Sequence, residues 1–164
     1  MDNREQILRT VTSHCQDVPS DILHDFISRM DQEYFRRVDP TAIARHIHLA
    51  AQLTPEHLCE LSITEQQDGR VDVTIVAYDY FAEFATICGL LSAFGLNIEE
   101  GQIYTFAEAV SAKPAEASYN ESPRRRPQRR PGLSSKKIVG IFRVQPVHGA
   151  SFGPAEQDRL AQEL

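Results

Sequence analysis

Val71-Asp72-Val73-Thr74-Ile75-Val76-Ala77-Tyr78 decides how the rest of this chain is read. Val71, Val73, Ile75 and Ala77 recur every second residue, the period of a strand with one buried face. Upstream, Cys59, Leu61 and Ile63 alternate in the same way with Glu60, Ser62 and Thr64. Between the two runs lies Gln67-Asp68-Gly69-Arg70, in which Asp-Gly supplies the positive φ angles of a tight turn. The two runs therefore predict an antiparallel hairpin.

Working forward, the period turns helical after Asp79. Phe84, Ile87, Cys88, Leu91 and Phe94 form the inward stripe of a helix predicted from about Phe81 to Phe94. Gly95 stands where a left-handed C-terminal cap is wanted. Leu96-Asn97-Ile98 opens a second extended segment that continues through Ile103, Tyr104, Thr105 and Phe106. Residues 107–135 lose periodicity and gather Ser, Pro, Ala, Glu and Arg, which predicts a disordered or mobile insertion. Strand character returns from Lys137 to Val144. Gly153-Pro154 then precedes an amphipathic segment whose large apolar residues are Leu160 and Leu164.

Working backward, the first half reads as helical. Ser20 is a candidate N-cap for a helix burying Ile22, Leu23, Phe26, Ile27 and Met30, with Tyr34, Phe35 and Val38 extending that face. Asp39-Pro40 combines a capping side chain with proline at the first helical position. The helix it opens, to about Leu53, places Ile43, Ile47, Ala50 and Ala51 together. Thr54-Pro55 repeats the device and closes the section. A weaker helix over residues 4–15 would turn Ile7, Leu8, Val11 and Cys15 inward.

The chain has 164 residues, is 41% hydrophobic and 24% charged, and carries a formal charge of −6, all ordinary for a globular protein. That charge is uneven. Residues 121–137 hold seven basic residues against Glu121 alone, leaving ten basic and twenty-two acidic residues elsewhere. An acidic body disfavours broad binding to a phosphate backbone. The Arg124-Arg125-Arg126-Pro127-Gln128-Arg129-Arg130-Pro131 run has no interleaved aromatic for base stacking, so it reads as a solvated insertion or a docking segment for an acidic partner. No apolar run approaches the ~18–20 residues that cross a bilayer. The N-terminus lacks a secretory layout, and Cys15, Cys59 and Cys88 are odd in number and widely spaced. Together these predict a cytoplasmic protein with reduced thiols and no membrane partner.

In order, the elements from Val71 run strand, helix, strand, loop, strand, helix. The segments Val76 to Phe84, Gly89 to Ile98 and Gln102 to Phe106 resemble the first half of an ACT domain. They are most similar to those of bacterial PII uridylyltransferases and related glutamine-synthetase-modifying nucleotidyltransferases. Tyr34-Phe35 through Ala42 to Leu49 resembles the helical linker preceding that domain. The resemblance implies an α+β fold: a helical region over 1–56, then a ferredoxin-like antiparallel sheet over 57–164. The chain stops at Leu164 before the family's last strand, so the sheet is expected to be incomplete at its C-terminus. The strand Cys59–Thr64 is expected to occupy the vacant edge.

The resemblance further implies a regulatory module that senses an amino acid, glutamine among the candidates, and forms a homodimer through its sheet or helices. The ligand would lie at the strand-to-helix turn, at Asp79, Tyr80, Phe81, Ala82 and Glu83, with Asn97 offering a side-chain amide. A helix N-terminus presents unpaired N–H groups and a positive dipole end to a carboxylate. Asp79 also suits a simple N-cap, and Asn97 a turn. Phe81 and Ala82 replace the family's usual proline and glycine, which favours an alternative: a degenerate ACT domain used for dimerisation or docking.

No constellation for catalysis, metal or cofactor stands out. There is no P-loop, GxGxxG or nucleotidyltransferase signature, although the resemblance implies a piece or relative of such an enzyme. His46 and His48 lie two apart on a helix and point about 200° apart, so they cannot share one ion. Cys88 lies on an apolar stripe and reads as a small core residue.

Overall fold

A computed structural model describes residues 3–79, 83–108, 136–148 and 151–164. Among these residues the architecture is mixed α+β, with six helices and one open four-stranded antiparallel sheet. Helices α1 (Asn3–His14), α2 (Ser20–Arg29), α3 (Gln32–Arg37) and α4 (Pro40–Gln52) precede strands β1 (Cys59–Glu65) and β2 (Val71–Tyr78). Helix α5 (Glu83–Ala93), strands β3 (Leu96–Thr105) and β4 (Lys137–Pro146) and helix α6 (Pro154–Glu163) complete the order. The sheet runs β1-β2-β4-β3.

The hairpin forms as its sequence requires. β1 pairs antiparallel with β2, Leu61 opposite Ile75 and Ile63 opposite Val73. The loop closes over residues 67–69, with Gln66 N–H donating to Arg70 O at 2.8 Å. Gly69 there carries φ +81°, a conformation that costs any other residue a steric clash at Cβ. β2 then pairs with β4, and β4 with β3, whose register slips between Ile98 and Glu100.

β2 departs from a strand with one buried face. Val71, Val73, Ile75 and Ala77 join a core with Ile87, Leu91 and Leu160, beneath α5 and α6. Val76 and Tyr78 are also buried, on the opposite face, with Phe26, Tyr34, Ile43 and Ile47 of the N-terminal helices. Both faces of the sheet are thus covered, which is why Ile75-Val76-Ala77-Tyr78 is a continuous apolar run.

The helices follow local capping chemistry. Asp39 accepts from Thr41 N–H at 2.8 Å, and Pro40 opens α4. Gly95 takes φ +72° and ends the α5 segment. Three expectations shift. Ser20 is the first residue of α2, and Pro19 occupies the cap position. The apolar face continuing to Tyr34 and Phe35 belongs to a separate helix, because Met30 turns extended (ψ 142°) and Asp31 recaps by accepting from Glu33 N–H at 2.6 Å. Phe84 is 54% exposed where the stripe placed it inward. It lies at the margin of the core, nearly parallel to the Phe142 ring with centroids 6.3 Å apart. Ile87 and Leu91, one and two turns on, reach the interior.

The helical layer is fastened at the β4 end by charge. Lys137 is 3% exposed, and its Nζ lies 3.3 Å from Asp25 Oδ2 and over the Tyr78 and Phe106 rings. Burial pulls its ammonium below the ordinary value of 10.5, against the pull of Asp25. Asp25 also pairs with Arg29 at 3.1 Å. Arg29 Nε donates to Ala107 O, and Ala107 N–H donates to Arg29 O. Lys137 is therefore structural, although by composition it counts among the seven basic residues of 121–137.

Removing the carboxylate from this knot leaves two buried cations facing each other. Asp25→Ala is expected to lose about 3 kcal/mol of unfolding free energy, whereas Lys137→Met keeps the apolar stem and stays within about 1 kcal/mol of wild type. Urea denaturation of the two variants checks this; equal losses contradict it.

Candidate functional site

The turn named by the sequence is only partly described. Asp79 follows β2, is exposed, and its N–H donates to Lys136 O at 2.8 Å. Tyr80, Phe81 and Ala82 lie outside the described residues, and Glu83 begins α5. Asn97 is exposed and sits opposite Gln145. Tyr78 sits opposite Lys137, so Asp79 and Asn97 lie at opposite ends of β4. At ~3.3 Å per residue that is on the order of 25 Å. Within one chain the two do not meet. Of the insertion, Ala107 and Glu108 are described, and residues 109–135, the arginine run included, lie outside the described residues.

A cavity of about 340 Å³ opens elsewhere, between α4 and the helix-facing side of the sheet. Its floor is two rungs that cross all four strands. Ser62, Thr74, Ile141 and Gln102 align in one, and Thr64, Asp72, Arg143 and Glu100 in the next. These rungs continue the face that carries Val76 and Val139 under the helices, but apart from Ile141 they are polar. The helical layer does not close over them. The α4 side supplies Arg45, His46 and Leu49, and Val38 and Asp39 stand at its end.

Some of these groups hold each other. Arg143 Nε donates to Asp72 Oδ1 at 3.0 Å, Gln66 donates to Asp72 Oδ2 at 2.8 Å, and Gln102 donates to Glu100 at 3.1 Å. The Arg143–Asp72 contact holds the guanidinium pKa above its ordinary value. Asp39 is committed to capping α4.

His46 is the most constrained side chain of the cavity. It is 4% exposed, and its Nδ1 lies 2.7 Å from Tyr34 Oη, which is fully buried. If Nδ1 carried the proton, the phenol hydrogen would be left buried and unbonded, which costs more than an unfilled lone pair. Tyr34 therefore donates to Nδ1, and the imidazole proton sits on Nε2 of a ring that lines the cavity. Burial, aided by the neighbouring Arg45 charge, lowers the His46 pKa from 6.5 to about 4. The ring is a neutral donor at physiological pH. Burial likewise holds the Tyr34 hydroxyl well above 10.0.

His48 faces elsewhere, with Nε2 3.1 Å from His14 O and Nδ1 3.6 Å from Asp17. Among the described residues no three His, Cys, Asp or Glu side chains gather to hold a metal ion. Burial raises the Cys88 thiol above 9.0, which disfavours the thiolate needed for nucleophilic attack. Among the described residues no helix is long and apolar enough to cross a membrane. No protein-family model matches the chain, and no curated protein is significantly similar to it.

His46 fixes a pH signature. Its proton is bound by the unfolded chain at 6.5 but by the folded chain only near 4, so the stability it contributes is complete above 6.5 and is lost as pH falls to about 4. That shift amounts to roughly 3 kcal/mol. His46→Gln is expected to flatten the loss of stability between pH 7 and pH 5 measured by urea unfolding. A variant with the wild-type slope contradicts this.

Proposed function

We propose that the chain is a non-catalytic regulatory module built on an ACT-like sheet, binding a small amino acid, with glutamine the first candidate. The observation that carries this reading is the sheet order β1-β2-β4-β3, all antiparallel, with α5 joining β2 to β3 and α6 following β4. That arrangement matches a βαββα unit, and β1 stands at the edge where the resembled fold carries its last strand. The resemblance of Val76 to Phe84, Gly89 to Ile98 and Gln102 to Phe106 to PII-uridylyltransferase control regions is what supports a role in nitrogen metabolism in the cytoplasm. The ligand's place in this reading is the Asp79–Glu83 turn. Asn97 lies too far along the sheet to join it within one chain, so a second copy would bring it there.

A second reading, dimerisation or docking alone, draws on the exposed apolar side chains beside the β3 edge. Phe84 is 54% and Ile103 36% exposed, and both belong to the side of the sheet that carries α5, Phe84 through its ring contact with Phe142 and Ile103 opposite Gly140. Phe81 and Ala82, in place of the family's proline and glycine, favour it too. The Arg-rich insertion would then meet an acidic partner.

Isothermal titration of the full chain against the individual amino acids separates the two. Saturable heat with one of them, glutamine foremost, is the expected result. No heat with any, together with a sedimenting dimer that Phe84→Ser dissociates, would establish the second reading in its place.

A further inference from the structure

We infer that the cavity beneath α4 is a binding site for a small carboxylate of amino-acid size, separate from the β2–α5 turn. The reason is the set of donors left over once its internal bonds are counted. Asp72, Arg143, Glu100, Gln66 and Gln102 are tied to one another, and Asp39 to the α4 N-terminus. Arg45 has no ion-pair partner among the described residues, and the hydroxyls of Ser62, Thr64 and Thr74 have no hydrogen-bond partner there. The Nε2–H of His46 is likewise unpartnered, on a side chain 96% buried by its 4% exposure and held rigid by Tyr34.

A neutral, fixed imidazole donor beside a guanidinium on the same helix suits a carboxylate, which takes short charge-assisted bonds from both. The hydroxyls of the two rungs can give or accept bonds, and so suit an amino or hydroxyl group on the same molecule. The volume of about 340 Å³ falls at the small end of ligand cavities and suits an occupant of amino-acid size. Asp72 and Glu100 lie within the same cavity and would repel a dianionic phosphate more than a single carboxylate. The site is preorganised: the sheet fixes the rungs, and Tyr34 fixes the ring.

This inference goes beyond the proposed function and does not depend on ligand binding at the turn. Nuclear magnetic resonance of the full chain, titrated with acetate and separately with L-glutamine at millimolar concentration, tests it. Saturable shifts are expected at the His46 Nε2 resonance and the Thr64, Thr74 and Gln102 amides. Arg45→Ala, an exposed position whose change leaves the core intact, is expected to weaken the binding about tenfold. Asp79→Ala is expected to leave it unchanged. Saturable shifts confined to Asp79, Glu83 and Asn97 would overturn the cavity as a site while sustaining amino-acid sensing at the turn. Shifts that never saturate, or that persist equally in Arg45→Ala, would overturn it as well. Heat in the amino-acid titration without shifts at the cavity residues separates failure of this inference from failure of the proposed function.

Discussion

The buried ammonium of Lys137 sets the relation between the two halves of the chain. A lysine at the first position of a central strand, facing the helical side, is stable only where a carboxylate meets it. Asp25 of α2 does so at 3.3 Å, with the Tyr78 and Phe106 rings on either hand. Arg29, on the same helix, holds Ala107 at the root of the insertion. One cluster therefore seats α2 on the sheet and anchors both strands that flank residues 109–135. Because the helices are seated at this end, over Tyr78 and Val139, the opposite end of the same face stays open. The polar rungs around Asp72 and Arg143 are the consequence.

Local chemistry was legible in the sequence, and contacts between distant segments were not. The hairpin over Asp68-Gly69, the cap at Asp39-Pro40 and the left-handed Gly95 are each determined by two or three adjacent residues. The second buried face of β2 was visible only as a change of period, from alternation over 71–75 to the continuous run Ile75-Val76-Ala77-Tyr78. That change marks where the helices begin to cover the strand. Asp31 is a cap as sound as Asp39, but without a following proline it merges into the apolar stripe. Phe84 has helical spacing, yet spacing cannot tell that its turn overhangs the edge of the core. The cavity depends on four strands in register, one of them bulged, and on a helix far away in sequence. No local pattern encodes it. Lys137 was masked by its company, since beside Arg124–Arg130 it reads as one more solvated charge.

The side chains of the inferred cavity site suit holding a molecule more than transforming one. His46 is kept neutral by burial and oriented by Tyr34, and a pKa near 4 leaves it a poor base at physiological pH. The ion-paired carboxylates are engaged with arginine and amide partners, and the Cys15 and Cys88 thiols are both raised by burial. What stays uncommitted is a fixed imidazole N–H, a guanidinium and hydroxyls, the kinds of group that give a small polar ligand its orientation. A ligand held between a helical layer and a sheet would also link occupancy to the fit of those layers, as the proposed sensing role requires.

The inferred cavity site rests on the helical layer and the sheet acting as one cooperative body with the cavity at their seam. Native-state hydrogen exchange of the full chain measures this most directly, by comparing the amides of Ile47 in α4, Val76 in β2 and Val139 in β4. A shared opening free energy, equal to that of global unfolding, is expected for all three. An α4 that exchanges through a separate, lower-energy opening while β2 and β4 stay protected would contradict it.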